Sequence, residues 1–229
     1  MDKSILVVED EGDLAELLCF NLESEGFSCR CVRDGAAALD AVRESPPDLL
    51  VLDRMLPGMP GDEVALQVKR DPRSANIPII MLTAKAEESD ELVGFALGAD
   101  DYVTKPFSMK IFLARVRAVF RRAESTDDAS GIMTVGPIVL DPTRHEVSIN
   151  GAKTTVTVTE FRMLRTLMKA GGRVLDRPQL IDATLGPGVA VTDRTIDVHI
   201  AALRKKLGPA AAGWIRTVRG VGYTFREPE

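Results

Sequence analysis

Several short apolar runs in the N-terminal half end in residues that can do chemistry. Carboxylates end two of the runs, at Glu9-Asp10 and Asp53, while a hydroxyl and an ammonium group end two others, at Thr83 and Lys105. If the runs are parallel strands, their carboxyl ends share one crevice in which these side chains can meet. Clustered carboxylates favour a divalent cation, and oxygen ligands suit magnesium. A cation beside one oxygen of Asp53 would leave the other free to attack phosphorus, which predicts phosphoryl transfer.

The elements that must position these residues alternate along the chain. The run that ends in Asp53 is apolar at consecutive positions, which is typical of a strand covered on both faces, and a turn signal follows at Pro57-Gly58. The sequence predicts strands at 5–8, 27–32, 49–53, 77–83 and 101–105. It predicts helices at 14–22, 36–42, 64–69, 87–97 and 111–122. This alternation indicates an α/β domain over residues 1–122, with a doubly wound, five-stranded parallel sheet. Any one of these strand-end polar residues would by itself be explained as a loop cap. The prediction of a phosphoryl-transfer site therefore rests on all of them together.

The pattern changes after residue 122. Residues 123–133 are small, polar and acidic, which is typical of a flexible linker. Residues 134–229 predict a small α+β domain with short antiparallel strands, three helices and a closing hairpin. The predicted strands lie at 138–140, 146–149 and 154–158, the helices at about 158–167, 178–183 and 192–207, and the hairpin at 215–225. Thr157 and Glu160 form a capping-box signature at the first helix.

Charge divides along the same boundary. The net charge of −5 combines −7 over residues 1–122, −3 over residues 123–133 and +5 over residues 134–229. An acidic half predicts a cation site, and a basic half is compatible with a polyanion such as nucleic acid.

The cysteines and the N-terminus predict a cytoplasmic protein that does not enter a membrane. Cys19, Cys29 and Cys31 form no CxxC motif and leave an odd cysteine, so we expect reduced thiols that fill core space. With two histidines in the chain, a zinc cluster is not expected. The first residues show no signal-peptide pattern, and no long uncharged apolar run follows.

Residues 1–122 resemble the receiver domain of two-component response regulators. The motifs are VVEDE (7–11), LLVLDRMLPG (49–58), IIMLTAK (79–85), GADDY (98–102) and TKPF (104–107). The resemblance implies that a sensor histidine kinase phosphorylates Asp53 and that Thr83 and Lys105 contact the phosphoryl group. It also implies a switch pair, Thr83 and Tyr102, and a cis peptide at Lys105-Pro106. The implied magnesium ligands are Asp10, Asp53 and the Met55 carbonyl, with Glu9 binding through water.

The strand-end aspartate is also compatible with an enzymatic alternative. Phosphatases of the haloacid dehalogenase type also use a strand-end aspartate as nucleophile, with a second aspartate two residues later as the acid. Met55 occupies that position and cannot transfer a proton, so a function other than that of an enzyme is expected.

The C-terminal part resembles the winged-helix effector domain of the OmpR/PhoB-type family. The motifs are VTEFRML (158–164), DRTIDVHIAALRKKLG (193–208) and IRTVRGVGYTF (215–225). On the helix that begins near residue 192, a stripe of Ile196, Ile200, Leu203 and Leu207 should pack into the core. The opposite side would face a major groove, and Arg219 on the wing could reach a minor groove. The candidate DNA-contacting residues are Arg194, Thr195, Asp197, Val198, His199, Arg204, Lys205, Thr217, Arg219 and Tyr223.

Three positions of this domain leave alternatives open or depart from the family pattern. His199 is either a phosphate contact or a half-buried helix residue. Ala201 and Ala202 stand where relatives often carry arginine, which implies fewer DNA contacts. Leu185 stands where relatives often carry tryptophan, in the loop before the last helix.

Taken together, the resemblances imply a DNA-binding transcriptional regulator controlled by phosphorylation. The expected partners are a sensor histidine kinase, double-stranded DNA with direct-repeat sites, RNA polymerase and, after phosphorylation, a second copy of the chain. The dimer face would lie within residues 87–122, with Asp100, Asp101, Ile111, Arg115 and Arg122 as contacts. The alternative is a phosphotransfer or protein-interaction module whose basic half binds something other than DNA.

Overall fold

The chain forms two compact units, Met1–Phe120 and Arg121–Glu229. The computed structural model describes residues 3–84, 99–124, 131–185 and 193–228. No helix among the described residues is long and apolar enough to cross a membrane.

The N-terminal unit contains the predicted five-stranded parallel sheet, in the order β2-β1-β3-β4-β5. Its strands are β1 (Ser4–Val8), β2 (Ser28–Val32), β3 (Leu49–Asp53), β4 (Ile79–Ala84) and β5 (Asp101–Lys105). Its described helices are α1 (Gly12–Ser24), α2 (Gly35–Glu44), α3 (Gly61–Arg70) and α4 (Met109–Glu124). The predicted helix at 87–97 lies outside the described residues. The strand order changes direction between β1 and β3, so a crevice opens at the carboxyl ends of these strands.

Burial explains why the central strands consist of consecutive apolar residues. Every residue of β3 is buried, and α1 packs Ala15, Leu18 and Leu22 inward at helical spacing. By contrast, β2 lies at the edge of the sheet and all its residues are half-buried or exposed, which fits its weaker apolar pattern.

The C-terminal unit pairs two antiparallel sheets with helices. One sheet has the order β6-β7-β8-β9 and the other β10-β12-β11. The strands are β6 (Met133–Val135), β7 (Ile138–Asp141), β8 (Glu146–Ile149), β9 (Ala152–Thr154), β10 (Leu175–Asp176), β11 (Ile215–Val218) and β12 (Gly222–Phe225). The helices are α5 (Val158–Lys169), α6 (Arg177–Thr184) and α7 (Asp193–Ala211). The α+β prediction for this half is confirmed.

One predicted strand is misplaced, and two elements extend into the predicted linker. The strand expected at 154–158 lies at Ala152–Thr154, because Thr157 caps α5: its hydroxyl accepts from the Glu160 amide, and Glu160 accepts from the Thr157 amide at 2.7 Å. Within the predicted linker at 123–133, the structure places the first two residues in α4, which continues to Glu124, and Met133 in β6, while residues 125–130 lie outside the described residues.

The last helix carries the predicted apolar stripe. Ile196, Ile200, Leu203 and Leu207 are all buried in the core of the C-terminal unit. The regular helix stops where Gly208 adopts a φ of 65°, just before Pro209, so the predicted stop signal is confirmed.

Candidate functional site

The strand-end residues of the N-terminal unit converge as predicted. Asp53 ends β3 and is buried, Glu9 follows β1 and is fully buried, and Lys105 ends β5. The Lys105 Nζ lies 2.6 Å from Asp53 Oδ2 and 2.7 Å from Glu9 Oε2. One ammonium group thus joins two carboxylates that are 44 residues apart in sequence.

The backbone around Asp53 fixes the direction of its carboxylate. Asp53 Oδ1 accepts a hydrogen bond from the Met55 amide at 2.9 Å, while Oδ2 receives Lys105. Behind the site α3 approaches closely, and a Cβ at Gly61 would lie 2.1 Å from the Asp53 carbonyl oxygen. Only glycine fits there without displacement, so Gly61 supports the site, although it lies outside the receiver motifs of the sequence.

Burial and charge set the protonation of this cluster. Burial raises the pKa of Glu9 to about 7; the hydrogen bond from Lys105 opposes this rise, and Asp53 adds to it. Burial lowers the pKa of Lys105, but hydrogen bonds to Asp53 and Glu9 outweigh this effect and leave that pKa raised. Lys105 is therefore a cation that partly neutralises the cluster.

The cluster has the donor atoms that a hard divalent cation needs. Glu9, Asp10 and Asp53 each offer a carboxylate oxygen, and these oxygens lie within 4.8 Å of one another. Asp10 is exposed, whereas Glu9 Oε1 is buried with no hydrogen-bond partner among the described residues. A buried carboxylate oxygen without a partner is costly, and a bound cation or its water would satisfy it.

The two predicted switch residues are both buried, on neighbouring strands. Thr83 lies on β4 and its hydroxyl donates to the Ala84 carbonyl at 3.1 Å. Tyr102 lies on β5. The peptide bond between Lys105 and Pro106 is cis, as the resemblance implies.

Asp100 is not available as a dimer contact, and this expectation is corrected. Its carboxylate is buried, 3.0 Å from Lys69 Nζ, and also accepts from the Ile79 amide at 2.9 Å. Lys69 in turn donates to the Ile77 carbonyl at 2.7 Å. The ion pair therefore joins the end of α3 to the residue before β5, and the hydrogen bonds to Ile77 and Ile79 tie both to the start of β4.

Arg115, the best candidate for an Asp–Arg pair across a dimer axis, forms an ion pair within the chain. Arg115 Nη1 lies 2.6 Å from Asp101 Oδ1, and the Asp101 side chain is fully buried. Ile111, on the same helix as Arg115, has 54% of its surface exposed. The side chain of Arg122 lies outside the described residues.

The candidate DNA-contacting residues of the C-terminal unit divide by exposure. Arg194, Lys205 and Arg219 are exposed, and none forms an ion pair with another described residue. Thr195, His199 and Tyr223, which the resemblance implied as DNA contacts, are buried, and for His199 this favours the alternative of a helix residue packed inside. They lie on the core side of the elements that carry them. Val198 is half-buried and Thr217 is exposed.

Arg204 joins the last helix to the wing. Its guanidinium donates to the Ile215 carbonyl at 2.8 Å and to the Thr217 hydroxyl at 2.9 Å. It also lies over the Tyr223 ring, 5.6 Å from the centroid. This geometry makes Arg204 a positioning residue for the hairpin.

Asp197 is the centre of a second network, which includes a residue missed in the sequence. It accepts from Tyr223 Oη at 2.7 Å and from Arg177 Nε at 2.8 Å. Burial raises the pKa of Tyr223, and the hydrogen bond to Asp197 raises it further. Arg177 stands at the start of α6, where the sequence predicts only a helix start beside Pro178.

Leu185, which the sequence places in a loop, is buried in the core of the C-terminal unit.

Comparisons with known proteins agree with both units. Residues 5–117 match the family model of the response regulator receiver domain, and residues 151–225 match that of the transcriptional regulatory protein C terminus. The chain is 45% identical to the sensory transduction protein RegX3 of Mycolicibacterium smegmatis, over 96% of this chain and 97% of the relative. It is 42% identical to the phosphate regulon transcriptional regulatory protein PhoB of Escherichia coli, over 98% of each.

Solved structures extend the likeness to the whole chain. A mutant of RitR (C128D) covers 98% of this chain and 99% of its own, with a TM-score of 0.80 at 30% identity. Response regulator DrrB of Thermotoga maritima, described as an OmpR/PhoB homolog, covers 99% of this chain and 100% of its own, with a TM-score of 0.52 at 29% identity.

Proposed function

The chain belongs to the OmpR/PhoB-type response regulators, and on that premise we propose that Asp53 accepts a phosphoryl group from a sensor histidine kinase. As a member of this family, the chain is a phosphorylation-dependent transcription regulator with a receiver domain and a DNA-binding domain. The observation that carries the assignment of Asp53 is its buried carboxylate, held between Lys105 and the Met55 amide beside a second carboxylate, Glu9.

The residues at the crevice divide the work of phosphoryl transfer. Asp53 supplies the nucleophilic oxygen, and Lys105 is placed to neutralise charge on the phosphoryl oxygens. Thr83, at the end of β4, would contact the same group and couple it to Tyr102. Magnesium held by Asp10, Asp53 and the Met55 carbonyl, with Glu9 acting through water, would supply electrostatic stabilisation when bound. The chain then functions as a transcription factor and not as an enzyme acting on an external substrate.

The phosphorylated chain is proposed to bind promoter DNA through the last helix and wing. The support is the set of three exposed cations, Arg194 and Lys205 on α7 and Arg219 at the wing tip. Gly220 follows Arg219 with a φ of 74°, a left-handed conformation that lets the hairpin turn tightly beside this exposed arginine. We also propose that the DNA sites are direct repeats, that RNA polymerase is a further partner and that the protein is cytoplasmic.

Duplex binding that depends on phosphorylation tests this function against the alternative of a protein-interaction module. The full chain, treated with a small-molecule phosphodonor and magnesium, should bind selected genomic fragments more tightly than the untreated chain does. The logarithm of its binding constant should fall linearly with the logarithm of salt concentration. Tight binding to a protein partner, with no salt-dependent duplex binding, would favour the alternative.

Arg219→Ala and Lys205→Ala should weaken DNA binding in different ways. The wing substitution should cost about 1–3 kcal/mol on sites with a narrow, A·T-rich minor groove and less on other sites. The Lys205 substitution should weaken binding to all sequences about equally and lower the salt slope by about 1. Lys153→Ala, which removes an exposed lysine of β9, is the matched control. It should change neither the affinity for DNA nor the salt slope. Identical sequence dependence in the two variants would contradict the assignment.

Phosphorylation is also proposed to produce a symmetric dimer through a face that includes α4 and β5. Because Arg115 already pairs with Asp101 inside the chain, the exposed side chain of Ile111 is the sharper probe of this face. Ile111→Glu should weaken the beryllofluoride-induced dimer by about tenfold or more, since an unpaired charge would be buried in the interface. Leu17→Glu, a matched change of an exposed leucine on α1, should leave it intact. Sedimentation of the wild type and the two variants measures the dimer fraction. Equal dimerisation of all three proteins would rule out this face.

A further inference from the structure

Two thiols of the N-terminal unit lie side by side where α1 packs against β2. The Sγ atoms of Cys19, on α1, and Cys29, on β2, are 2.7 Å apart. Both residues are half-buried and pack against the apolar core of this unit, whereas Cys31, two residues further along β2, is exposed. The expectation that all three cysteines fill core space is therefore wrong for Cys31.

The contact makes the two thiols chemically unequal. The Cys29 thiol donates a hydrogen bond to Cys19 Sγ. This hydrogen bond lowers the pKa of Cys19, against the opposing effect of burial, and a hydrogen bond from Cys31 acts in the same direction. The pKa of Cys29 is raised, first by the hydrogen bond it donates and then by burial. Because the thiolate is the nucleophile, Cys19 is the sulfur that reacts first.

We propose that Cys19 and Cys29 are an oxidation site that forms a reversible disulfide in response to hydroperoxides. The two Sγ atoms need about 0.7 Å of further approach to reach the ~2.05 Å of a disulfide. The pair is separate from the phosphoacceptor site, so this inference is independent of the function proposed above.

The chemistry proceeds in two balanced steps. The Cys19 thiolate attacks the terminal oxygen of the hydroperoxide; the O–O bond breaks, and the leaving oxygen takes a proton and departs as an alcohol or water. Cys19 is then a sulfenic acid. The Cys29 sulfur attacks the Cys19 sulfur, the S–O bond breaks, and the departing hydroxide takes the Cys29 proton and leaves as water. Two thiols are oxidised and one hydroperoxide is reduced.

The product would tie α1 to the edge strand of the sheet. In a reducing compartment such a bond is transient, as are the redox-sensing disulfides of cytosolic proteins. Cys31 remains as the one free thiol of the three.

Thiol counting and peptide mapping on the full chain test the pairing. The reduced protein, freed of reductant, is exposed to hydrogen peroxide, denatured and alkylated. The wild type should fall from three alkylated cysteines to one, with a mass loss of two hydrogens before alkylation and a mapped Cys19–Cys29 bridge. Cys31→Ser should retain the bridge and lose its last alkylation site. Cys19→Ser should keep both of its remaining thiols, whereas Cys29→Ser should stop at a Cys19 sulfenic acid that dimedone traps. Dithiothreitol should restore all three thiols in the wild type.

Three results would overturn the proposal. These are a mapped bridge that includes Cys31, three thiols that still alkylate after peroxide treatment, and a cysteine oxidised to sulfinic or sulfonic acid in place of a bridge. Peroxide treatment in urea separates proximity from intrinsic reactivity, since the preference for Cys19–Cys29 should disappear when the chain is unfolded. A preference that persists in urea would also contradict a pair set up by the fold. The wild-type map decides the question even if a serine variant folds poorly.

Discussion

Asp53→Asn is expected to abolish phosphorylation of the chain. The amide keeps the size and the hydrogen bond from the Met55 amide but is not a nucleophile, and it cannot form the acyl phosphate. Wild type treated with a small phosphodonor and magnesium should gain one hydroxylamine-labile phosphoryl group, measured by intact mass. The variant should gain none, and its phosphorylation-dependent gain in DNA affinity should disappear with it.

The matched control for this change is Asp40→Asn. Asp40 is an exposed aspartate on α2 of the same unit, with its side chain 70% exposed, so its substitution should leave labelling unchanged. Circular dichroism of both variants checks that the unit remains folded. Stoichiometric, hydroxylamine-labile labelling of Asp53→Asn would show that another carboxylate is the acceptor.

Lys105→Ala is expected to change stability and cation affinity in opposite directions. The ammonium group lies against two buried carboxylates, Glu9 and Asp53; its loss leaves Asp53 without its cation and raises the pKa of Glu9 further, so that Glu9 is held in its protonated form. Removing one partner of a fully buried pair costs about 3–5 kcal/mol. Because 23% of the Lys105 side chain is exposed, we expect a smaller loss of unfolding free energy, roughly 1–3 kcal/mol, when no divalent cation is present.

Magnesium should bind Lys105→Ala more tightly than wild type, since the cation no longer competes with an ammonium group for the same oxygens. Bound cation stabilises the folded state by mass action, so the stability deficit should shrink as magnesium is added. Calorimetric titration and thermal unfolding, each with and without magnesium, measure the two effects. Lys110→Ala, an exposed lysine on α4, is the control and should resemble wild type. Unchanged magnesium affinity in Lys105→Ala would mean that Lys105 does not share its oxygens with the cation.

The sequence determined the architecture of the first unit and the position of its site. Consecutive apolar residues specify strands buried on both faces, and the polar residue that ends each such strand must lie at one edge of a parallel sheet. Asp53, Glu9 and Lys105 therefore meet as expected. The apolar stripe of α7 was predictable for a similar reason, because helical spacing alone decides which side is buried.

Boundaries in the second unit were less predictable because local signals compete. Residues 154–158 have strand-like composition, but the capping box of Thr157 and Glu160 starts a helix there and ends the strand at Thr154. A three-residue strand such as β6 has too few residues to show a period.

Only the tertiary structure decided the partners of individual charged and polar side chains. Asp100 and Asp101 look like surface residues in sequence, yet each is buried because a cation from another segment, Lys69 or Arg115, reaches it. Arg204 was expected to contact DNA, and its bonds to β11 depend on how the hairpin packs. The contact between Cys19 and Cys29 likewise exists because α1 packs on β2. In each case the partner's identity depends on distances between segments, which residue types and spacing do not encode.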